Sequence, residues 1–132
     1  MWDDVYGFKM SVMKRKRKLS PIVETVAEDR CITSTAKVLS LDLVTCEYRD
    51  ASFQSNFEVM SMRDGHITGV TGYFDTGFTQ GSKFKNVLST APNLPETHWY
   101  QTTFPLEKPL QVKKGKIFVV MVLVVACDGP TE

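Results

Sequence analysis

At 132 residues the chain is one domain at most, large enough for a core. Its 42% apolar and 23% charged content is that of an ordinary soluble protein. The net charge of +1 conceals an asymmetry: Lys14-Arg15-Lys16-Arg17-Lys18 holds five of the sixteen basic residues, leaving eleven against fifteen acidic residues elsewhere. That balance argues against a general nucleic-acid face, since only the basic run could meet phosphate.

The N-terminal stretch Trp2-Asp3-Asp4-Val5-Tyr6-Gly7-Phe8-Lys9-Met10 is rich in aromatics without a helical period. So many large side chains beside a terminus suggest a docking arm, against the simpler reading of a first strand packed on its own domain. The basic run that follows fits an import or acidic-partner signal, or a solvated loop. Pro21 opens a short segment, Ile22 to Val26, that ends in Ala27-Glu28-Asp29-Arg30. From residue 37 the pattern is β: Leu39, Leu41 and Leu43 share one face, and Phe53, Ser55, Phe57 and Val59 alternate with polar neighbours. Arg63-Asp64-Gly65-His66 signals a hairpin, its Asp-Gly suited to positive φ, with Ile67 to Phe78 as the return strand. Glycines 69, 72 and 77 weaken that strand but suit bends in a curled sheet. Gly81-Ser82-Lys83 reads as a turn and Asn86 to Thr90 as another short strand.

Thr97-His98-Trp99-Tyr100-Gln101-Thr102-Thr103-Phe104 is the least generic stretch. Pro92 and Pro95 precede it, fixing φ and removing backbone donors, so the approach is neither helix nor central strand. Alternating β-branched and aromatic residues then predict a strand, with Trp99, Gln101 and Thr103 on one face. His98 stands where loop becomes strand, a position that can present a titratable group. The plain alternative is a hydrogen-bonded histidine opening a strand beside a half-buried tryptophan. Lys113-Lys114-Gly115 is expected to close the following hairpin. Ile117 to Ala126 is a ten-residue apolar run without alternation, too short for a bilayer, which needs about 20, and suited to a strand buried on both faces. Strands at this spacing, with few helical stretches, argue a β-sandwich or barrel.

Cys31, Cys46 and Cys127 are odd in number and lack ligand or redox spacing. With no signal peptide and no glycosylation sequon, they favour reduced thiols in a cytosolic or nuclear protein. Catalytic signatures are missing: no dinucleotide or Walker glycine loop, no nucleophile elbow, and no zincin motif. His66 and His98 with the scattered cysteines make no credible zinc set, so no metal is expected.

The run from Trp2 to Ser11 resembles the end of the dimerisation arm of type I protein arginine N-methyltransferases. Thr97-His98-Trp99 resembles that family's Thr-His-Trp loop, and Gln101-Thr102-Thr103-Phe104 continues its pattern. Gly72-Tyr73-Phe74-Asp75, Leu88-Ser89-Thr90 and Leu106-Glu107-Lys108-Pro109 also fit, the last resembling the arginine methyltransferase 3 branch. The resemblance runs from about residue 2 to 115 and covers only the family's C-terminal β-barrel, entered through the arm. It implies a mainly β fold, a partial β-barrel with an extended N-terminal arm. Residues 1–20 would be arm and basic loop, 21–115 barrel, and 116–132 a divergent tail. Tyr6 and Met10 match arm positions that dock on a partner subunit, with Trp2 and Phe8 in support. His98 matches the histidine that helps hold the active-site acids; Trp99 matches the tryptophan beside the substrate-arginine pocket, and Thr97 belongs to the same substrate-side loop.

The resemblance further implies a homodimer that uses S-adenosyl-L-methionine, bound by a Rossmann-like domain outside this chain, and protein substrates with accessible arginine. No cofactor site, nucleic-acid role or membrane contact is expected of this chain alone. After Gly115 the sequence departs from the family, which suggests a splice donor near Gly115-Lys116 and a tail read from intron. Met1 arriving inside the arm suggests a truncated gene model. Two readings compete: the barrel portion of a methyltransferase, inactive alone, or a non-catalytic barrel module that binds a methyltransferase subunit or its substrate. An unrelated ligand-binding barrel requires both matches to be accidental.

Overall fold

The computed structural model describes residues 4–11, 13, 20–78 and 86–126. Trp2, the Lys14 to Lys18 run, the expected turn at Gly81-Ser82-Lys83, Cys127 and the terminal Asp128-Gly129-Pro130 lie outside the described residues. The fold is mainly β. Among the described residues seven strands follow in order: β1 (Ile22–Glu24), β2 (Phe53–Met60), β3 (Gly65–Gly72), β4 (Asp75–Phe78), β5 (Asn86–Ser89), β6 (Gln101–Val112) and β7 (Ile117–Val124). They form one three-stranded sheet, β1-β6-β3, and two antiparallel pairs, β2-β7 and β4-β5; among the described residues no barrel closes. Two units result, one built from residues 1–31 and 65–111, the other from 32–64 and 112–132.

In the first unit β6 carries Pro105 and Pro109, unusual for a strand with neighbours on both sides. The register explains them. Among the described residues β1 pairs only with Gln101, Thr102 and Thr103, so no described strand on that side loses a ladder bond to Pro105 or Pro109. Gly69 in β3 serves close approach rather than bending. A Cβ there would lie 2.9 Å from the Phe104 carbonyl oxygen and 3.1 Å from Thr103 Cγ2. The Thr71 and Thr103 hydroxyls meet at 3.1 Å. Two short strands replace the single return strand expected over 67–78, because the chain breaks at Tyr73-Phe74 and Phe74 is bonded to Thr90 instead.

The arm is more structured than an extended segment. Val5 and Phe8 exchange both backbone hydrogen bonds at 3.0 Å around Tyr6 (φ 52°) and Gly7 (φ 82°). Two successive positive φ angles are the signature of a type I′ turn. Asp4 Oδ1 accepts the Gly7 N–H at 2.8 Å. The turn leaves Tyr6 97% exposed and Phe8 largely so, while Met10 is half-buried.

In the second unit β2 and β7 pair from Phe53↔Val124 to Met60↔Ile117. The alternation read over Phe53 to Val59 holds: these residues are half-buried and their neighbours exposed. The apolar run after Lys116 is not buried on both faces. Phe118, Val120 and Val122 are half-buried, but Ile117, Val119, Met121 and Leu123 are exposed, opposite the polar residues Gln54, Asn56 and Glu58 and the exposed Met60. One face of the pair is half-buried, and the sequence stays apolar on the other, which is exposed among the described residues.

Three further expectations are corrected. Val38 to Leu43 is not a strand. The Asp42 side chain accepts the Val44 N–H at 3.0 Å and its carbonyl accepts those of Thr45 and Cys46, so local turn bonds displace a ladder. Arg63 to His66 is not a hairpin, since β2 and β3 join different sheets and Gly65 is not at positive φ. The Lys113 to Gly115 turn joins β6 to β7 without pairing them. Fully buried Ser61 nails it down: its N–H donates to the Lys116 carbonyl at 2.8 Å and its carbonyl accepts the Gly115 N–H at 2.7 Å. Asp64 accepts the Lys114 N–H at 2.8 Å and Lys113 Nζ at 3.1 Å. Positive φ falls to Gly115 (83°).

Two expectations for stability follow from these contacts. Gly69→Ala forces its new methyl against the Phe104 backbone and is expected to cost about 1–3 kcal/mol, measured by denaturant unfolding; an unchanged midpoint would show that β3 yields freely. The hydrogen bond from Lys114 and the nearby Lys113 ammonium hold the Asp64 carboxyl below its usual range. A depressed folded value stabilises above the unfolded value of about 3.9 and is lost as pH falls through the folded one. Asp64→Asn should therefore flatten the acid limb of the stability curve below about pH 4 while leaving the neutral-pH slope untouched.

Candidate functional site

The Thr97 to Trp99 stretch lies in a tight turn before β6, not within a strand. Tyr100 N–H donates to the Thr97 carbonyl at 3.1 Å, and Tyr100 sits at φ 54°. A bulky aromatic in the left-handed region is an outlier that the surroundings must over-determine. It breaks the alternation, so Trp99 does not continue the face of Gln101 and Thr103 as the sequence predicts. Freed from the sheet, His98 and Trp99 are exposed; the Trp99 side is 49% accessible. Their rings lie 3.8 Å apart at 35°. Phe74 meets the other side of Trp99 edge-on, at 6.0 Å and 78°. Among the described residues His98 makes no hydrogen bond, unlike the strand-opening histidine of the simpler reading. Thr97 Oγ1 is buried without a partner.

Behind this exposed pair stands a buried polar clasp. Gln101 is 5% exposed; its Oε1 accepts the Val26 N–H at 2.8 Å and its Nε2 donates to the Thr90 carbonyl at 2.7 Å. Thr90, 1% exposed, brackets Phe74: its hydroxyl accepts the Phe74 N–H at 3.0 Å and donates to the Phe74 carbonyl at 3.1 Å, while Thr90 N–H donates to the same carbonyl at 3.0 Å. Sequence reasoning quoted Gln101, Thr90 and Phe74 within motifs and gave them no task. The usable signal was a glutamine opening a strand otherwise made of threonine and phenylalanine.

The structure brings Thr97, His98 and Trp99 together. The arm residues Tyr6, Phe8 and Met10 belong to the separate Val5 to Phe8 turn and its continuation; Trp2 is outside the described residues. In the second unit a groove of about 390 Å³ is lined by Leu39, Leu41, Cys46, Asp50 and Phe53 among others, none of them a site residue expected from the sequence. The described residues hold no cluster of three His, Cys, Asp or Glu able to bind a metal.

The described residues form a strand-rich region with an exposed histidine–tryptophan turn and an exposed aromatic turn. The model of the arginine methyltransferase oligomerization subdomain matches residues 1–128, and the chain belongs to that family. It is 38% identical over 115 residues to probable protein arginine N-methyltransferase 1.2 of Arabidopsis thaliana, covering 87% of this chain and 31% of that protein. Protein arginine N-methyltransferase 1 of Chlamydomonas reinhardtii is 36% identical over 115 residues, with 87% and 33% covered. The chain thus spans about a third of the length of the curated relatives it matches. Among solved structures, the PRMT1 enzyme–prozyme heterotetrameric complex with AdoHcy of Trypanosoma brucei superposes with a TM-score of 0.84 at 31% identity, over 92% of this chain and 38% of that one. Protein arginine methyltransferase 10 of Arabidopsis thaliana shares the fold, with a TM-score of 0.76 at 20% identity over 92% of this chain and 39% of that one.

Thr97 supplies a test of how its loop is built. An unpaired buried hydroxyl costs about 1–3 kcal/mol, so Thr97→Val, which keeps the shape, is expected to leave stability unchanged or raise it by about 1 kcal/mol. A loss of that size in a thermal or urea melt would mean the hydroxyl has a partner.

Proposed function

We propose that this region acts as the barrel portion of a type I protein arginine N-methyltransferase, of the arginine methyltransferase 3 branch by its Leu106-Glu107-Lys108-Pro109 segment. Its task is to supply substrate-side and dimer contacts to an S-adenosyl-L-methionine domain outside residues 1–132. The observation that carries this reading is the His98–Trp99 tip: two exposed rings in tilted contact, off the sheet, in a chain that matches the oligomerization subdomain.

The chemistry gives the tip its work. Methyl transfer from a sulfonium to a guanidinium needs in-line approach to an oriented nitrogen lone pair. Arginine, with a pKa above about 12, arrives cationic, so carboxylates must bind it and draw its positive charge away from the attacking nitrogen. Those carboxylates belong to the cofactor domain. His98 supports them as a hydrogen-bonding partner, while Trp99 and Thr97 line the approach of the substrate arginine. An indole face suits a guanidinium, which stacks on aromatic rings. The Tyr6-Gly7 turn offers Tyr6 and Phe8 to a partner subunit, with Met10 and Trp2 extending the contact, and the complete enzyme is a homodimer. Its substrates are proteins with accessible arginine. The compartment is cytosolic or nuclear, neither nucleic acid nor membrane is a partner, and the barrel is completed in the whole protein.

Two measurements test this. In a complete enzyme containing this region, His98→Ala is expected to lower kcat about ten- to a hundredfold, the roughly 1.5–3 kcal/mol of one charge-assisted contact, with cofactor affinity nearly unchanged; normal kcat in folded mutant enzyme removes His98 from the site. The 132-residue chain itself is expected to show no heat of binding with S-adenosyl-L-methionine and no arginine methylation. Micromolar binding by the purified chain would overturn the division of labour.

A further inference from the structure

We infer that Gln101 and Thr90 are positioning residues for Trp99, and through its ring contact for His98, acting by way of Phe74. The left-handed turn at Tyr100 uncouples Trp99 from the pleat of β6, so the strand alone does not aim the indole. A second anchor is required, and the Phe74 ring is the one the structure provides, edge-on at 6.0 Å. Phe74 lies between β3 and β4, one residue before the β4-β5 pairing that starts at Asp75↔Ser89. Three hydrogen bonds to the one residue Thr90 fix it there. Thr90 is held in turn by Gln101 Nε2 on its carbonyl, and Gln101 is two residues from Trp99 in the chain.

The contacts therefore close a circuit: Gln101 to Thr90, Thr90 to Phe74, Phe74 to the Trp99 ring, and the backbone through Tyr100 back to Gln101. Both ends of Trp99 are fixed from the same buried point. The two Gln101 bonds are buried, which strengthens them, while those between Thr90 and the partly exposed Phe74 are part-buried. The two ends of the Gln101 amide hold two different segments, its oxygen on Val26 and its nitrogen on Thr90. The orientation stands on geometry alone, and only its catalytic consequence rests on the function proposed above.

The test uses the 132-residue chain carrying Trp2→Phe, which leaves Trp99 as the sole tryptophan. Trp99 anisotropy and acrylamide quenching are read for Thr90→Val, Thr90→Ser, Gln101→Leu and Ser61→Ala. Thr90→Val keeps shape and carbonyl but loses both hydroxyl bonds to Phe74; with Gln101→Leu it is expected to lower anisotropy and increase quenching. Thr90→Ser restores the parent signal. Ser61→Ala removes a buried hydroxyl bond to the Arg63 carbonyl and leaves the Trp99 signal alone. If Gln101→Leu fails to fold, the Thr90 pair decides. Parent-like anisotropy and quenching in folded Thr90→Val, or an equal shift from Ser61→Ala, overturns the inference. In the complete enzyme, Thr90→Val is expected to lower kcat about tenfold with the KM for S-adenosyl-L-methionine unchanged. A shifted Trp99 signal with normal kcat would uphold the positioning and reject the function assigned to the loop.

Discussion

One buried carboxamide organises the first unit. Gln101 reaches the loop after β1 through Val26 and the end of β5 through Thr90, while its own backbone opens β6. A polar group so placed must satisfy both its donor and its acceptor, because burial without partners costs more than the bonds return. That demand selects one arrangement of three chain segments distant in sequence. A purely apolar contact would tolerate sliding; two directed hydrogen bonds do not. The exposed tip inherits its geometry from this point, since the strand that carries it starts there.

The apolar core among the described residues is small: Val26, Ala91 and Val112 are its buried members. Large side chains instead stand at the surface, notably Tyr6 and Phe8 on the N-terminal turn and Ile117, Val119, Met121 and Leu123 along β7. Exposed apolar surface of this kind marks interaction sites, and the chain matches the oligomerization subdomain model. β7 adds an uncharged strand in a two-stranded sheet, with one edge lacking a neighbour among the described residues. Ion pairs contribute little to this frame. Glu24–Arg30, Glu47–Arg49 and Asp64–Lys113 are exposed or nearly so, and water competes for each.

Local pattern was legible where one local rule governed. Alternation over Phe53 to Val59 gave β2 its faces, and the short strand from Asn86 was plain from its turn-bounded residues. It failed where long-range partners chose. Arg63 to His66 carries hairpin chemistry, yet Asp64 spends its carboxylate on Lys113 and Lys114, about fifty residues away. Elsewhere a competing local rule won: Leu39, Leu41 and Leu43 alternate, but Asp42 among them captures the backbone for a turn. Ile117 to Val124 reads as doubly buried because composition reports preference, and only neighbours confer burial.

For the candidate site, the sequence by itself determined the residue types and their order: a turn rich in proline, then threonine, histidine, tryptophan, and a β-forming run. That was enough for the family, because the motifs resembling it are continuous in the chain. It did not determine where the rings point. The outlying φ of Tyr100 is compatible with no simple propensity, and is imposed by what lies on either side: a turn closed at Thr97 and a glutamine locked into two distant backbones. Phe74, Thr90 and Gln101 are separated by sixteen and eleven residues. Spacings of that kind carry no period, so only the tertiary structure could bring the three together behind the histidine and tryptophan they support.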